Sequence, residues 1–146
     1  MATPMDSNLK LLADDSLELV VVTHYRQIIG SLMYLTNTRP NICFAVNTLS
    51  QHLVQPRPVH LVATKHVMRY LKGTIDFGLY YDGSHEYRLY GYTDADWVGS
   101  ILDRKSTSGI CFCLRSAMSS WFSKKQSSVS RSMAEAEYIA DCSTKL

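Results

Sequence analysis

The sequence predicts an α+β fold: a run of helices, then an antiparallel sheet, then one closing helix. Three observations predict it. Apolar residues recur at helical spacing from Thr23 to Lys72, interrupted only at prolines. After Gly73 the pattern changes to short aromatic and β-branched runs punctuated by glycine, aspartate and serine. After Ser132 the run Ala134-Glu135-Ala136-Glu137-Tyr138-Ile139-Ala140 favours helix again.

The elements follow in order. Residues 1–22 read as a leader, polar and acidic, ending in an apolar patch Leu19-Val20-Val21-Val22 that suits a short extended piece. Residues 23–76 form a helical segment. Thr23 is a plausible N-cap, followed by Tyr25, Ile28, Ile29, Leu32, Met33 and Leu35 at helical spacing. Arg39-Pro40 ends this helix and opens the next, because proline tolerates a first helical turn. The second helix carries Ile42, Ala45, Val46, Leu49 and Leu53 on one face and stops at Gln55-Pro56-Arg57-Pro58. The third sets Val59, Val62, Ala63, His66, Val67 and Tyr70 on one side, with His66 as edge-of-core packing. Lys65, Arg69 and Lys72 line up on another side, and Gly73 serves as C-cap. Three amphipathic helices with short joints make a small bundle.

Residues 77–146 read as three to four strands and a helix. Strand candidates are Phe77–Tyr81, Tyr87–Asp94, Gly109–Leu114 and Met118–Ser123, with turns at Asp82–Ser84, across Gly99–Ser108 and at Lys124-Lys125-Gln126. Ser132 caps the last helix, and Glu135 three residues on completes a capping box.

Bulk properties bound the function. A chain of 146 residues is one ordinary domain, or a small domain with an appendage. With 46% hydrophobic and 19% charged residues it can bury a core, which excludes global disorder. Cys43, Cys111, Cys113 and Cys142 match neither a zinc spacing nor a disulfide framework; Cys111 and Cys113, two apart on a strand and on one face, read as small buried hydrophobes of a reducing compartment. No apolar run reaches the roughly 18 residues of a membrane span, and the N-terminus lacks a secretory signal. The expectation is a cytoplasmic or nuclear protein with no membrane partner.

The net charge is only +2, but it is uneven: residues 23–74 carry six Lys or Arg and no acid. Such a segment attracts phosphate, although it also suits a merely solvated helical face. The acids gather elsewhere. Asp94-Ala-Asp96-Trp97 lies on a strand and Glu135-Ala-Glu137-Tyr138 on a helix. If the strand continues, Asp94 and Asp96 share a face. Glu135 and Glu137 are about 200° apart on a helix, so one caps and the other points inward. Glu135 is the capping residue, which leaves Glu137 as a ligand. Carboxylates on a strand and a facing helix can hold Mg²⁺ for phosphodiester cleavage. The same acids also serve as ordinary surface groups beside Trp97 and Tyr138.

Several blocks carry a resemblance. Tyr92-Thr93-Asp94-Ala95-Asp96-Trp97-Val98-Gly99, Asp103-Arg104-Lys105-Ser106-Thr107-Ser108-Gly109, Ser120-Trp121-Phe122-Ser123-Lys124-Lys125-Gln126 and Ala134-Glu135-Ala136-Glu137-Tyr138 resemble the ribonuclease H domain of copia-type retrotransposon polyproteins. Thr3-Pro4-Met5-Asp6, Tyr25-Arg26, Gly30–Leu35, Thr38-Arg39-Pro40 and Arg69-Tyr70-Leu71-Lys72-Gly73-Thr74 resemble the same polyproteins where they leave the reverse transcriptase core. The match runs in order over nearly the whole chain. It divides residues 23–76, a reverse transcriptase tail, from residues 77–146, a partial ribonuclease H-like domain.

The resemblance implies Mg²⁺-dependent cutting of the RNA strand of an RNA–DNA hybrid by four acidic residues. Asp94 matches the first and Glu137 the second. The other two acids lie beyond a helix of this kind, and Asp141, one turn past Glu137, is a poor stand-in. The strand expected to pair with the first strand is missing too, which leaves an open edge for self-association. Lys65, Arg69, Lys72, Lys124 and Lys125 are the expected nucleic-acid contacts. The chain therefore reads as a polyprotein fragment related to hybrid cleavage but inactive by itself. The alternative is a non-catalytic nucleic-acid-binding or protein-interaction remnant.

Overall fold

A computed structural model describes residues 2–6, 11, 20–81, 83, 88–100, 103–115 and 117–143. The chain divides into two compact units, Met1–Gly78 and Leu79–Leu146. The first is helical and the second is a sheet with a helix, so the fold is mixed α+β.

Unit one holds α1 (Val22–Leu35), a single 3₁₀ turn (Pro40–Ile42), α2 (Cys43–Ser50) and α3 (Pro58–Lys72). Its core is Tyr25, Ile29 and Leu32 from α1, Ile42, Ala45, Val46 and Leu49 from the second helical stretch, and Ala63, Val67 and Tyr70 from α3. These are the i, i+3, i+4 positions of each helix, which lie on one face. Polar groups that enter this core bring partners. Tyr25 Oη donates to the Leu49 carbonyl at 2.9 Å. Asn41 Nδ2 donates to Tyr70 Oη at 2.6 Å.

Three details differ from the sequence reading. Helix α1 starts at Val22, so Thr23 lies inside it and caps nothing. Helix α2 ends at Ser50, and Leu53 follows it, partly buried. On α3, His60 and Thr64 are buried beside Ala63, Val67 and Tyr70, while Val62 is 61% exposed. The face is rotated because His60 is tied down at both nitrogens. Its Nδ1 accepts from the Arg57 backbone N–H at 2.9 Å, its Nε2 meets the Leu11 carbonyl at 3.4 Å, and its ring stacks on His52. Burial and the nearby Arg57 charge push the His60 pKa down, with the Leu11 contact opposing them. Thr64 turns its hydroxyl back onto the His60 carbonyl at 2.8 Å. His66, half-buried, contacts the Thr3 carbonyl at 3.2 Å. Arg39 clamps the end of α3: Nη1 donates to the Thr74 carbonyl and Nη2 to its hydroxyl, at 3.0 and 2.7 Å.

Unit two holds β1 (Leu89–Asp96), β2 (Thr107–Leu114), β3 (Ala117–Lys125) and α4 (Met133–Cys142). The sheet is antiparallel with order β1-β2-β3, so β1 lies at an edge. Asp94 pairs with Gly109 and Asp96 with Thr107, while Ile110 pairs with Phe122. A register shift between Phe112 and Cys113 marks a bulge. Helix α4 packs on one face through Ala136 and Ala140 against Ala95 of β1.

The aromatic run Phe77–Tyr81 is not a strand; Tyr80 is 80% exposed and Tyr81 Oη donates to the Met118 carbonyl. Lys124 and Lys125 are the last residues of β3 rather than a turn. None of the four cysteines forms a disulfide and none is fully buried; Cys142 is exposed. Asp82 and Ser84 of the expected turn, and the strand start at Tyr87, fall outside the described residues. So does Leu19 of the expected N-terminal extended piece. Among the described residues no helix is long and apolar enough to cross a membrane.

Candidate functional site

The acid pair sits at the end of β1. Asp94, Ala95 and Asp96 are consecutive strand residues, so Ala95 faces α4 and both aspartates leave by the opposite face. There they sense each other: burial, then the Asp94 charge, raises the Asp96 carboxyl above the usual carboxylate range. The strand ends at once in a turn fixed by side chains. Trp97 Nε1 donates to the Ser130 carbonyl at 3.4 Å, and the Val98 N–H donates to Ser106 Oγ at 3.2 Å. Val98 has φ +56°, a left-handed conformation that strains a β-branched residue. The Asp96 carboxylate folds over Gly99: a Cβ there would come within 2.0 Å of Asp96 Oδ2.

Helix α4 brings the second acid. Ser132 Oγ caps the helix by accepting from the Glu135 N–H at 3.2 Å, as the sequence predicts. Glu135 reaches back to the Arg131 N–H at 2.6 Å, one residue beyond the expected cap position. Glu137 is half-buried, next to the inward-facing Ala136. Asp94 and Glu137 are therefore the chain neighbours of two alanines that pack together, yet the strand's alternation turns Asp94 to the other side of the sheet. The structure brings Asp94 and Asp96 together; among the described residues no group of three His, Cys, Asp or Glu side chains could hold a metal ion. Mg²⁺ takes oxygen donors in octahedral geometry. The aspartate pair supplies donors of that kind, but the described residues do not fit a complete site.

What anchors α4 to the sheet is Gln126, which sequence reading assigned to a turn. It is 6% exposed. Its Nε2 donates to Ser108 Oγ and to the Ala136 carbonyl, both at 3.0 Å, and its Oε1 accepts from Ser130 Oγ at 2.9 Å. The signal available in sequence was a long amide immediately before a serine-rich stretch and a capped helix.

The expected nucleic-acid contacts fall in both units. Lys65, Arg69 and Lys72 are exposed on α3. Arg69 also borders a cavity of about 230 Å³ with Met5, Asp6, Val62, Ala63 and His66. On β3, Lys124 is exposed, whereas Lys125 Nζ is engaged by Asp103 at 2.8 Å and by Ser100 Oγ at 3.0 Å. Burial alone would raise the Asp103 carboxyl; the hydrogen bonds from Lys125, Ser100 and the Lys105 N–H, with the Lys125 charge, override it and hold the pKa at about 2.

Fold and site together define a two-unit α+β chain whose second unit carries an acid pair on an edge strand beside a capped, glutamate-bearing helix. The chain is 44% identical over 148 aligned positions to the retrovirus-related Pol polyprotein from transposon RE2 of Arabidopsis thaliana, covering 100% of the chain and 10% of that protein. It is 45% identical over 121 residues to the corresponding polyprotein from transposon TNT 1-94 of Nicotiana tabacum, covering 82% of the chain and 9% of that protein. A secreted RxLR effector protein, number 161 of Plasmopara viticola, is 44% identical over 117 residues, which are 80% of the chain and 82% of that protein. The chain belongs to the copia-type, retrovirus-related Pol polyproteins of transposons. It spans about a tenth of the length of the Pol polyproteins it matches. No family model matches the chain, and no solved structure matches it.

Proposed function

We propose that this chain is the stretch of a transposon Pol polyprotein in which a reverse transcriptase tail meets a ribonuclease H-like unit, and that it does not cut RNA by itself. One observation carries the reading: Asp94 and Asp96 leave β1 by one face, while α4, which carries Glu137, packs against the other. Asp94 and Glu137 would share a Mg²⁺ site only after one of them turned to the other's side of β1. Such a metal supplies charge stabilisation and an activated water when bound. The chain's own share is to present the carboxylates and to hold the RNA–DNA hybrid by its backbone. Lys65, Arg69, Lys72 and Lys124 would make those contacts, with Lys125 joining once released from Asp103.

The test combines a gel assay of a labelled hybrid in Mg²⁺ with anisotropy of the same hybrid. The expected result is no cleavage, with an affinity that falls as salt rises and a salt slope that drops by about 1 for each lysine or arginine replaced by alanine. Cleavage that disappears in Asp94→Asn would overturn the claim of inactivity. Affinity indifferent to salt would overturn the nucleic-acid assignment.

A second reading, an interaction module without chemistry, is favoured by the effector relative, since this stretch makes up 82% of that protein. The partner would add a strand to the outer edge of β1. A second copy of this chain is the simplest such partner. Light scattering checks it: mass should rise with concentration, and a monomer at high concentration refutes it.

A further inference from the structure

We propose that Cys111, Cys113 and Met118 form a soft-metal site for Cu(I) on the sheet face opposite α4. Cys111 and Cys113 are two residues apart on β2, so their thiols emerge on one side. Met118 of β3 is the register partner of Cys113, which sets its side chain directly across from that thiol. Tyr90 and Tyr92 of β1, the partners of Cys113 and Cys111, flank them at 45% and 59% exposure. The face is therefore open to an incoming ion, and both thiols are half-buried. The two thiols lie within hydrogen-bonding reach of one another.

The donor set selects the metal. Two thiolates and a thioether are soft ligands, which favour Cu(I) over hard ions. With three sulfurs, zinc would need a water or another group as its fourth ligand. Mg²⁺ and Ca²⁺ prefer carboxylate oxygen, which this face offers at its other end, at Asp94 and Asp96. A direct disulfide is the competing use of the thiols. Residues two apart on a strand have Cα atoms about 6.6 Å apart, near the upper limit for a disulfide. A bridging ion with sulfur–metal bonds of about 2.3 Å relieves that mismatch. Binding is acid–base chemistry with no change of oxidation state: two S–H bonds break, two thiolate–Cu bonds and one thioether–Cu bond form, and two protons pass to solvent. Affinity therefore rises with pH.

The test titrates the reduced chain with Cu(I) against a competing chelator. The expected result is one ion per chain, weakened more than about 100-fold by Cys111→Ser or by Cys113→Ser, less by Met118→Leu, and unchanged by Cys43→Ser or Cys142→Ser. In the unsubstituted chain, one equivalent of Cu(I) should protect Cys111 and Cys113 from alkylation while Cys142 still reacts, a readout independent of how the variants fold. Equal alkylation of all the thiols with and without the ion would overturn the proposal. So would binding that survives both Cys111→Ser and Cys113→Ser.

Discussion

Gln126 offers the sharpest test of how unit two holds its acids in place. Replacing it with leucine keeps a similar volume but removes three hydrogen bonds, to Ser108 Oγ, to the Ala136 carbonyl and from Ser130 Oγ. Each such bond contributes about 0.5–1.5 kcal/mol net, so the loss is about 3 kcal/mol. Small domains have stabilities of about 0.05–0.15 kcal/mol per residue, or about 3–10 kcal/mol for a unit of this size, so the loss is a third or more of it. Ser130→Ala breaks one bond of the three and should cost about 1 kcal/mol. The chain's two tryptophans, Trp97 and Trp121, both lie in unit two, so urea unfolding followed by tryptophan fluorescence reads that unit separately. With a slope of about 1 kcal/mol/M, Ser130→Ala should move the midpoint down by about 1 M urea. Gln126→Leu unfolding within about 0.5 kcal/mol of the unsubstituted chain would refute the network as the tie between α4 and the sheet.

Three further outcomes are expected. Burial and Arg57 hold the His60 pKa below its ordinary value, so its neutral form stabilises unit one above the unfolded pKa of about 6.5. That contribution should be lost as pH falls through the lower folded value, seen as a drop in the helical circular dichroism transition between neutral and mildly acidic buffer. Asp103, held at about 2, stabilises unit two above the unfolded value of about 3.9 and loses that effect as pH falls toward 2. The Asp103 side chain is 42% exposed, so solvent screening limits the effect to less than about 1 kcal/mol, and added salt should shrink it further in the same urea assay. Asp94→Asn removes the charge that helps raise Asp96, so an NMR pH titration should find the Asp96 carboxyl titrating lower; an unmoved midpoint would separate the two groups.

Much of this was legible in the sequence because the periods were clean. Ile29, Val46 and Val67 stand where helical spacing put them, and the alternation of β1 placed Asp94 and Asp96 on one face. Other features depended on partners that spacing cannot name. Phe77–Tyr81 has the composition of a strand but makes no ladder. His60 displaced Val59 and Val62 from the core of α3 because capping and ring stacking compensated its burial. Lys124 and Lys125 stayed in β3 because their partners in β2 continue to Thr107. The side of β1 against which α4 packs was set by Ala95, the small apolar residue between the two acids. Its significance emerges only once Ala136 and Ala140 are seen against it.

The bare backbone at Gly99 makes the acid pair adjustable by shape alone. One methyl group at that position would occupy the space now filled by the Asp96 carboxylate and force it to swing away, with no formal charge added or removed. A Gly99→Ala chain would thus separate where the second acid points from how strongly it repels the first.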